Sequence, residues 1–354
     1  MAVETPAWYD SPFLKAARRE PVERTPIWLM RQAGRYLPEY RALREKYSFL
    51  ELCRKPELAA EITISTVARF GFDAAILFAD LLPILKPMGF ELRFGPGEGP
   101  VIRNHLGGPK DVDRVQELGE DRLAELDFVF EAIRLAREGL PKTIPLIGFA
   151  GAPFTLAAYA IEGGTTRSFE RTKCFMIEDS GAWRELMERM ARSIARYVKK
   201  QVTAGVQAIQ IFDSWAGCLS PKHYQQFVLP YTQIVFEAIP ADVPAIHFLT
   251  GNPMLLPLQA KAGGTVIGVD WRIDIGDAWD MVGDGYAIQG NLDPVVLCGP
   301  EELVVHEARA ILQRVRGRPG HIFNLGHGVL PSTPVSNVSL LVQTVHEWNP
   351  RQIS

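Results

Sequence analysis

An eight-stranded α/β barrel is the fold this sequence predicts, and two observations carry the prediction. Eight short, nearly continuous apolar runs have the character of parallel strands covered on both faces. Amphipathic helical segments lie between them, and strand and helix alternating eight times imply a closed barrel. The length of 354 residues would otherwise suggest two domains, but barrels of this kind often exceed roughly 250 residues as one domain. The expected unit is therefore a single barrel spanning residues 1–354, with residues 1–20 as an N-terminal arm.

In chain order the expected strands are Pro26–Met30, Asp73–Ala79, Ile144–Ala150, Ala208–Asp213, Ala245–Leu249, Val266–Asp270, Ala287–Gly290 and His321–Leu325. Between the first two, Pro56 can start a helix that runs to Phe70 and stops at Gly71. Over Trp183–Lys200 the residues Trp183, Leu186, Met187, Met190, Ile194, Tyr197 and Val198 recur at spacings of three and four, which predicts a helix. His223–Ala238 has the same pattern in Tyr224, Phe227, Val228, Tyr231, Ile234 and Val235. A doubly wound open sheet is the alternative, and a G-x-G-x-x-G turn after an early strand would favour it. The only glycine cluster of that kind, Gly95-Pro-Gly-Glu-Gly-Pro100, has the wrong spacing and contains prolines, so it reads as a surface loop.

Hydrophobic residues make up 47% and charged residues 22%, enough apolar surface for a large core without disulfides or metals. A net charge of -3 argues against a nucleic-acid or anionic-membrane partner, although a local basic pocket stays compatible with it. The four cysteines, Cys53, Cys174, Cys218 and Cys298, form no C-x-x-C pair, so a reduced, cytoplasmic protein is expected. The first twenty residues lack an apolar run of secretory type, and the most apolar stretch, Ala74–Leu85, is interrupted by Asp80 and Pro83.

Active-site residues of such barrels sit at the C-terminal ends of strands and in the loops that follow. After the first strand come Arg31 and Arg35 beside Gly34, then Arg41 and Arg44: either a solvated basic loop or an anion site, since arginine suits bidentate carboxylate binding. Asp80 ends the second strand between apolar runs, as a site carboxylate, a helix cap or an arginine's partner. Gly151 and Pro153 mark a turn into a helix that carries Tyr159, a packing tyrosine or one facing the barrel mouth. Asp213 and Ser214 follow the fourth strand as site groups or a helix cap, and no G-x-S-x-G elbow surrounds Ser214. His247 on the fifth strand lacks soft ligands nearby and reads as a hydrogen-bonded core histidine. His327 lies between Gly326 and Gly328, a setting that suits close approach of backbone to a ligand, or a turn. The residues alone imply a cofactor-free barrel enzyme acting on a polyanion.

The stretches PIWLMRQAGRYLPEYR, DAAILFADLL, LIGFAGAPFTLAAY with IEGG, IQIFDSWAG, IQGNLDP and FNLGHGVLP resemble the uroporphyrinogen decarboxylase family, from near residue 26 to near residue 334. The resemblance implies a homodimer of barrels, one deep cleft per subunit, and neither metal nor prosthetic group. It implies uroporphyrinogen III as substrate, with isomer I usually also accepted, and coproporphyrinogen as product. Carried over by motif, Arg31, Gln32, Ala33, Gly34 and Arg35 form a substrate-binding segment, and Asp80 binds the pyrrole N–H groups at the macrocycle's centre. Tyr159, Ser214 and His327 contact the carboxylate-bearing periphery, and Arg44 matches a weaker contact. The resemblance also makes Asp80, Arg31 and Arg35 the catalytic set, with Arg31 or Arg35 as the candidate acid, although arginine is a very poor acid in water. Two other functions stand as alternatives. A zinc-dependent corrinoid or thiol methyltransferase of the same superfamily would carry H-x-C at the fifth strand, where this chain has Leu249. A non-catalytic tetrapyrrole-binding protein would bind without turnover.

Overall fold

The computed structural model describes residues 6–95 and 99–348. Its main sheet holds seven parallel strands, and a separate hairpin holds two antiparallel ones. The strands in chain order are β1 (Ala75–Ile76), β2 (Leu92–Phe94), β3 (Pro100–Ile102), β4 (Leu146–Gly151), β5 (Ala208–Asp213), β6 (Ala245–Leu249), β7 (Val266–Gly268), β8 (Ala287–Leu292) and β9 (His321–Leu325). The large sheet runs β1-β4-β5-β6-β7-β8-β9, each strand parallel to the next, and helices cover its outer face.

The expected first strand, Pro26–Met30, is not a strand. It meets β9 through one parallel bridge, Ile27 to Phe323, and Phe323 N–H donates to the Pro26 carbonyl at 2.8 Å. On its other side Asp73 N–H donates to the Ile27 carbonyl at 2.9 Å, so the segment joins β9 to the β1 edge and closes the barrel. The physical reason for the lost ladder lies in its donors. Pro26 has none. The N–H groups of Ile27, Leu29 and Met30 go instead to the side chains of Asp73, Gln32 and Asn324.

Other boundaries shift for equally local reasons. The helix Pro56–Phe70 ends at Gly71, whose φ of 71° is the left-handed conformation that glycine adopts without a steric penalty. The helix over Trp183–Lys200 is longer than the pattern predicts, Ser180–Ala204, because Asp179 caps it through the N–H groups of Gly181 and Ala182. His223–Ala238 is two helices, Pro221–Phe227 and Leu229–Glu237. Pro230 has no N–H to give the preceding turn, and the chain breaks at Val228. The glycine cluster at 95–100 is expected as loop; Pro100 instead opens β3, and residues 96–98 of that cluster lie outside the described residues.

The barrel's interior is filled rather than hollow. Trp28, Ile147, Ala208, Ile246, Val266, Ala287 and Ile322 pack together there, and the short helix Pro12–Ala17 buries Phe13, Leu14, Ala16 and Ala17 against them. Part of the expected N-terminal arm is thus a plug at one end. A polar chain crosses this apolar interior: Trp28 Nε1 donates to Gln289 Oε1 at 2.9 Å, and Gln289 Nε2 donates to Gln210 Oε1 at 3.0 Å. The opposite end, where the strands finish, is left open. No helix among the described residues is long and apolar enough to cross a membrane.

Candidate active site

A cleft of about 990 Å³ opens at the C-terminal ends of the strands. Arg31, Gln32, Ala33, Gly34, Arg35, Arg44, Asp80, Tyr159, Ser214 and His327 all line it, although they come from five separate stretches of chain. Three other residues named with them, Asp213, His247 and Arg41, lie elsewhere or have other duties. Asp213 is fully buried behind the wall, and neither it nor Ser214 caps the following helix, whose cap is Ser220. His247 is a buried core histidine whose Nδ1 is 3.1 Å from the Gln259 carbonyl oxygen. Arg41 donates to the Arg35 and Tyr36 carbonyls and so braces the loop from outside.

The segment after Met30 is bent sharply into the cleft. Arg31 has a φ of 58°, an uncommon conformation for a residue with a side chain. The turn is held by Gln32 N–H on the Leu29 carbonyl (2.9 Å) and by the Tyr36 hydroxyl on the Gln32 carbonyl (2.6 Å). Gln32 is buried, its amide bridging Leu29 N–H and the Ala74 carbonyl, so it anchors the segment. The guanidinium groups of Arg31 and Arg35 remain exposed to the cleft. Arg44 is more confined: its Nη1 donates to the Tyr47 carbonyl at 2.8 Å and its guanidinium lies 5.9 Å from the Phe49 ring centre.

The glycines flanking His327 make room for other parts of the chain, and Gly328 also lines the cleft. A Cβ on Gly328 would stand 2.3 Å from Arg31 Cδ, and one on Gly326 would stand 2.4 Å from the Trp271 backbone nitrogen. The missing side chain at Gly328 is what lets the Arg31 stem lie across the loop.

Asp80 keeps some exposure to the cleft, and one oxygen accepts from Leu82 N–H at 2.9 Å. Burial pushes its pKa up to about 6, against the opposing pull of that N–H and of the Arg31 charge. No cation stands within ion-pair distance of it among the described residues, so Arg31 acts through space. His327 moves the other way. Burial first, then the charges of Arg31 and Arg272, bring it down to about 4, against Asp270, so at neutral pH it is an uncharged imidazole. Burial and the nearby Asp80 push Tyr159 up to about 12, leaving it a phenol and a hydrogen-bond donor.

An apolar floor completes the site. Phe149, Phe212 and Phe248 line the cleft and meet edge to face, with centroids 5.7 and 5.8 Å apart. One wall is the Tyr159–Trp215 stack, its ring centres 3.7 Å apart, and Lys46 adds a cation near Arg44. Sequence reasoning missed these residues, because aromatic side chains at strand ends look like ordinary core. The available signal was position: Phe149, Phe212 and Phe248 all fall in the last three residues of their strands. Among the described residues no group of three or more His, Cys, Asp or Glu side chains is placed to hold a metal ion.

Such a cleft combines several cations, neutral hydrogen-bond donors, an apolar floor and one largely buried carboxylate. The profile described as "Uroporphyrinogen decarboxylase (URO-D)" matches residues 9–348 of the chain. The chain belongs to the uroporphyrinogen decarboxylase family. It is 51% identical over 341 residues to the uroporphyrinogen decarboxylase of Chloroflexus aurantiacus, covering 95% of each protein. Its identity to that of Carboxydothermus hydrogenoformans is 50% over 336 residues, again covering 95% of each. Among solved structures, a methyltransferase from Methanosarcina mazei has a TM-score of 0.81 at 23% identity, covering 97% of this chain and 99% of that one. At that identity the likeness speaks for the shared barrel and not for the chemistry. In β6 His247 faces the core, and Leu249 stands two residues on.

Proposed function

We infer that this chain decarboxylates uroporphyrinogen, converting the four acetate arms of the tetrapyrrole to methyl groups in haem biosynthesis. The observation that carries the reading is Asp80, a crowded carboxylate set among arginines at the mouth of a family-typical barrel. Each turn of the reaction is R–CH2–COO⁻ + H⁺ → R–CH3 + CO2. A proton first adds to the pyrrole ring carbon beside the acetate arm, which makes the ring cationic. The bond to the carboxylate then breaks, CO2 leaves, and the electron pair enters the ring as an exocyclic double bond. A second proton goes to the exocyclic carbon while the ring carbon gives its proton back. The substrate is its own electron sink, so the chemistry asks for no pyridoxal or thiamine.

In this reading Asp80 accepts hydrogen bonds from the pyrrole N–H groups and its charge stabilises the ring cation that exists only along the reaction path. Arg31 and Arg35 pair with substrate carboxylates and help keep Asp80 ionised. Tyr159, Ser214 and a neutral His327 donate to the periphery, Arg44 contributes at the rim, and Ala33 and Gly34 give the backbone room to approach. Free, separated cysteines support a cytoplasmic setting. Residues 1–354 acting as one barrel, paired as a homodimer, belong to the same reading, and sedimentation tests the pairing. The deciding experiment is anaerobic incubation of the purified protein with uroporphyrinogen III, with carboxylates counted on the oxidised products. Loss of four carboxylates is expected, with full activity after exhaustive chelation; unchanged substrate overturns the reading.

A further inference from the structure

Asp213 is a buried carboxylate that the reaction above does not use. Strand β5 ends on it, its side chain has no exposed surface, and the next two residues, Ser214 and Trp215, both line the cleft. An ion at such a depth is costly unless its lone pairs are engaged. The Thr155 hydroxyl donates to its Oδ1 at 3.2 Å, the Tyr224 hydroxyl donates to its Oδ2 at 3.4 Å, and His247 Nε2 stands 3.8 Å from that second oxygen. Asp213 also faces the first turn of the helix Pro153–Glu162, through Thr155, at the end of a helix dipole that favours an anion.

The bond to Thr155 has a direction, and the direction matters. A hydroxyl that spends its proton on Asp213 keeps its lone pairs for a donor, and the backbone N–H of Trp215 takes that place at 3.3 Å. The Trp215 indole then stacks on Tyr159, with centroids 3.7 Å apart and planes 26° from parallel. Three contacts therefore connect a buried charge to the aromatic wall of the cleft.

We propose that Asp213 is a positioning residue: through the Thr155 hydroxyl it fixes the Trp215–Tyr159 stack as the wall against which the tetrapyrrole is aligned. The inference rests on the reading that this cleft takes a tetrapyrrole. Asp213 orients the hydroxyl, the hydroxyl sets the Trp215 backbone, and the stack sets where the Tyr159 phenol points.

Thr155→Val removes both hydrogen bonds at nearly constant size, and Thr155→Ser keeps them. Two readouts are followed: steady-state kinetics with uroporphyrinogen, and the near-ultraviolet circular dichroism of the free protein, where a stacked Trp–Tyr pair contributes. Thr155→Val is expected to lower kcat/KM by about two- to tenfold, mainly through KM, as befits one neutral hydrogen-bond link. It should also lose the dichroism that Trp215→Phe loses, whereas Thr155→Ser stays within about twofold of wild type in kinetics and keeps its spectrum. In a Trp215→Phe background Thr155→Val should add almost nothing, because the two act in series. Wild-type behaviour of Thr155→Val, equal losses in the Val and Ser variants, or an undiminished Val effect without Trp215 overturns the proposal. Should the wild-type protein not turn over uroporphyrinogen at all, the functional reading fails separately, and the dichroism still decides whether Thr155 holds the stack.

Discussion

The two ends of the barrel treat polar side chains in opposite ways. At the plugged end Asp73 is nearly fully buried and fully engaged: its oxygens accept from Ile27 N–H at 2.9 Å and Arg24 at 2.7 Å, and His346 Nε2 lies 2.8 Å away. At the open end Asp80 accepts one backbone N–H, the side chains of Arg35 and Ser214 make no hydrogen bond among the described residues while their carbonyls accept from Arg41 and Thr250, and the Arg31 guanidinium reaches into the cleft. The same residue types are spent on closing the fold at one end and held in reserve at the other. Folding satisfies buried polar groups wherever it can, so groups left with spare capacity around a cavity are where a ligand can finish the job.

The contrast is sharpest between the two aspartates. Asp80→Asn keeps shape and an acceptor but removes the charge. If the charge stabilises a ring cation, kcat should fall by about 10²–10³-fold, or about 2.7–4 kcal/mol, with little change in KM. Asp80→Glu should retain more activity than Asn if charge dominates over placement. Stability should move the other way. The folded pKa, about 6, lies above the ordinary value of 3.8, so the fold favours the protonated form. That contribution is fully present below pH 3.8 and lost as pH rises through 6. The Asn variant should therefore melt higher than wild type above pH 6, with the gain shrinking toward pH 4. A near-normal kcat, or no stability gain at neutral pH, breaks the comparison.

Next in size are the cleft arginines. Lysine keeps the charge of Arg31 or Arg35 but loses the planar fork, so each Lys variant should lose about 1.5–3 kcal/mol of binding or transition-state stabilisation. Wild-type kinetics in both variants would remove these arginines from the site and leave the open end merely solvated.

The plugged end is the control. Asp73→Asn replaces one accepting oxygen with a donor facing Arg24 or His346, and it should cost about 1–3 kcal/mol of folding stability in denaturant melts. Its kinetics should stay near wild type, because Asp73 is absent from the cleft lining.

How much of this was legible beforehand follows from the same contrast. Strands β4, β5, β6 and β9 showed in the sequence because burial on both faces forces continuous apolar runs. Pro26–Met30 looked like a strand for that reason, yet its backbone donors go to Asp73, Gln32 and Asn324, tertiary partners that no local pattern reveals. The break at Val228 was readable from Pro230, but the apolar period running through it hid the break. Within the cleft, charged and glycine-flanked residues stood out against their surroundings, and the motif resemblance assigned them together. Phe149, Phe212, Phe248 and Trp215 did not stand out, since an aromatic residue facing a cavity and one facing the core have the same sequence signature. The hairpin of β2 and β3 was missed because its strands are three residues each, too short to show alternation.

The smallest expected effect separates two groups that share the open end. His327 and Asp80 both titrate away from their ordinary values, in directions that matter differently. His327, lowered to about 4, is already neutral where the enzyme works, so losing its titration should leave the pH profile unmoved. Asp80, raised to about 6, must be ionised for the role argued above, so kcat/KM should rise as pH climbs through about 6. Carboxylates of a tetrapyrrole substrate titrate lower, near the usual range of roughly 4 to 5, and do not place a limb there. His327→Asn keeps a side-chain donor but cannot titrate. Its kcat/KM should fall by no more than about tenfold, the worth of one imperfectly replaced hydrogen bond, while the acid limb stays where it was. An acid limb that disappears in His327→Asn would transfer the titration to the imidazole, and Asp80 would then be charged throughout the working range. An acid limb that survives there but vanishes in Asp80→Asn assigns it to the carboxylate, which is the outcome the crowding around Asp80 requires.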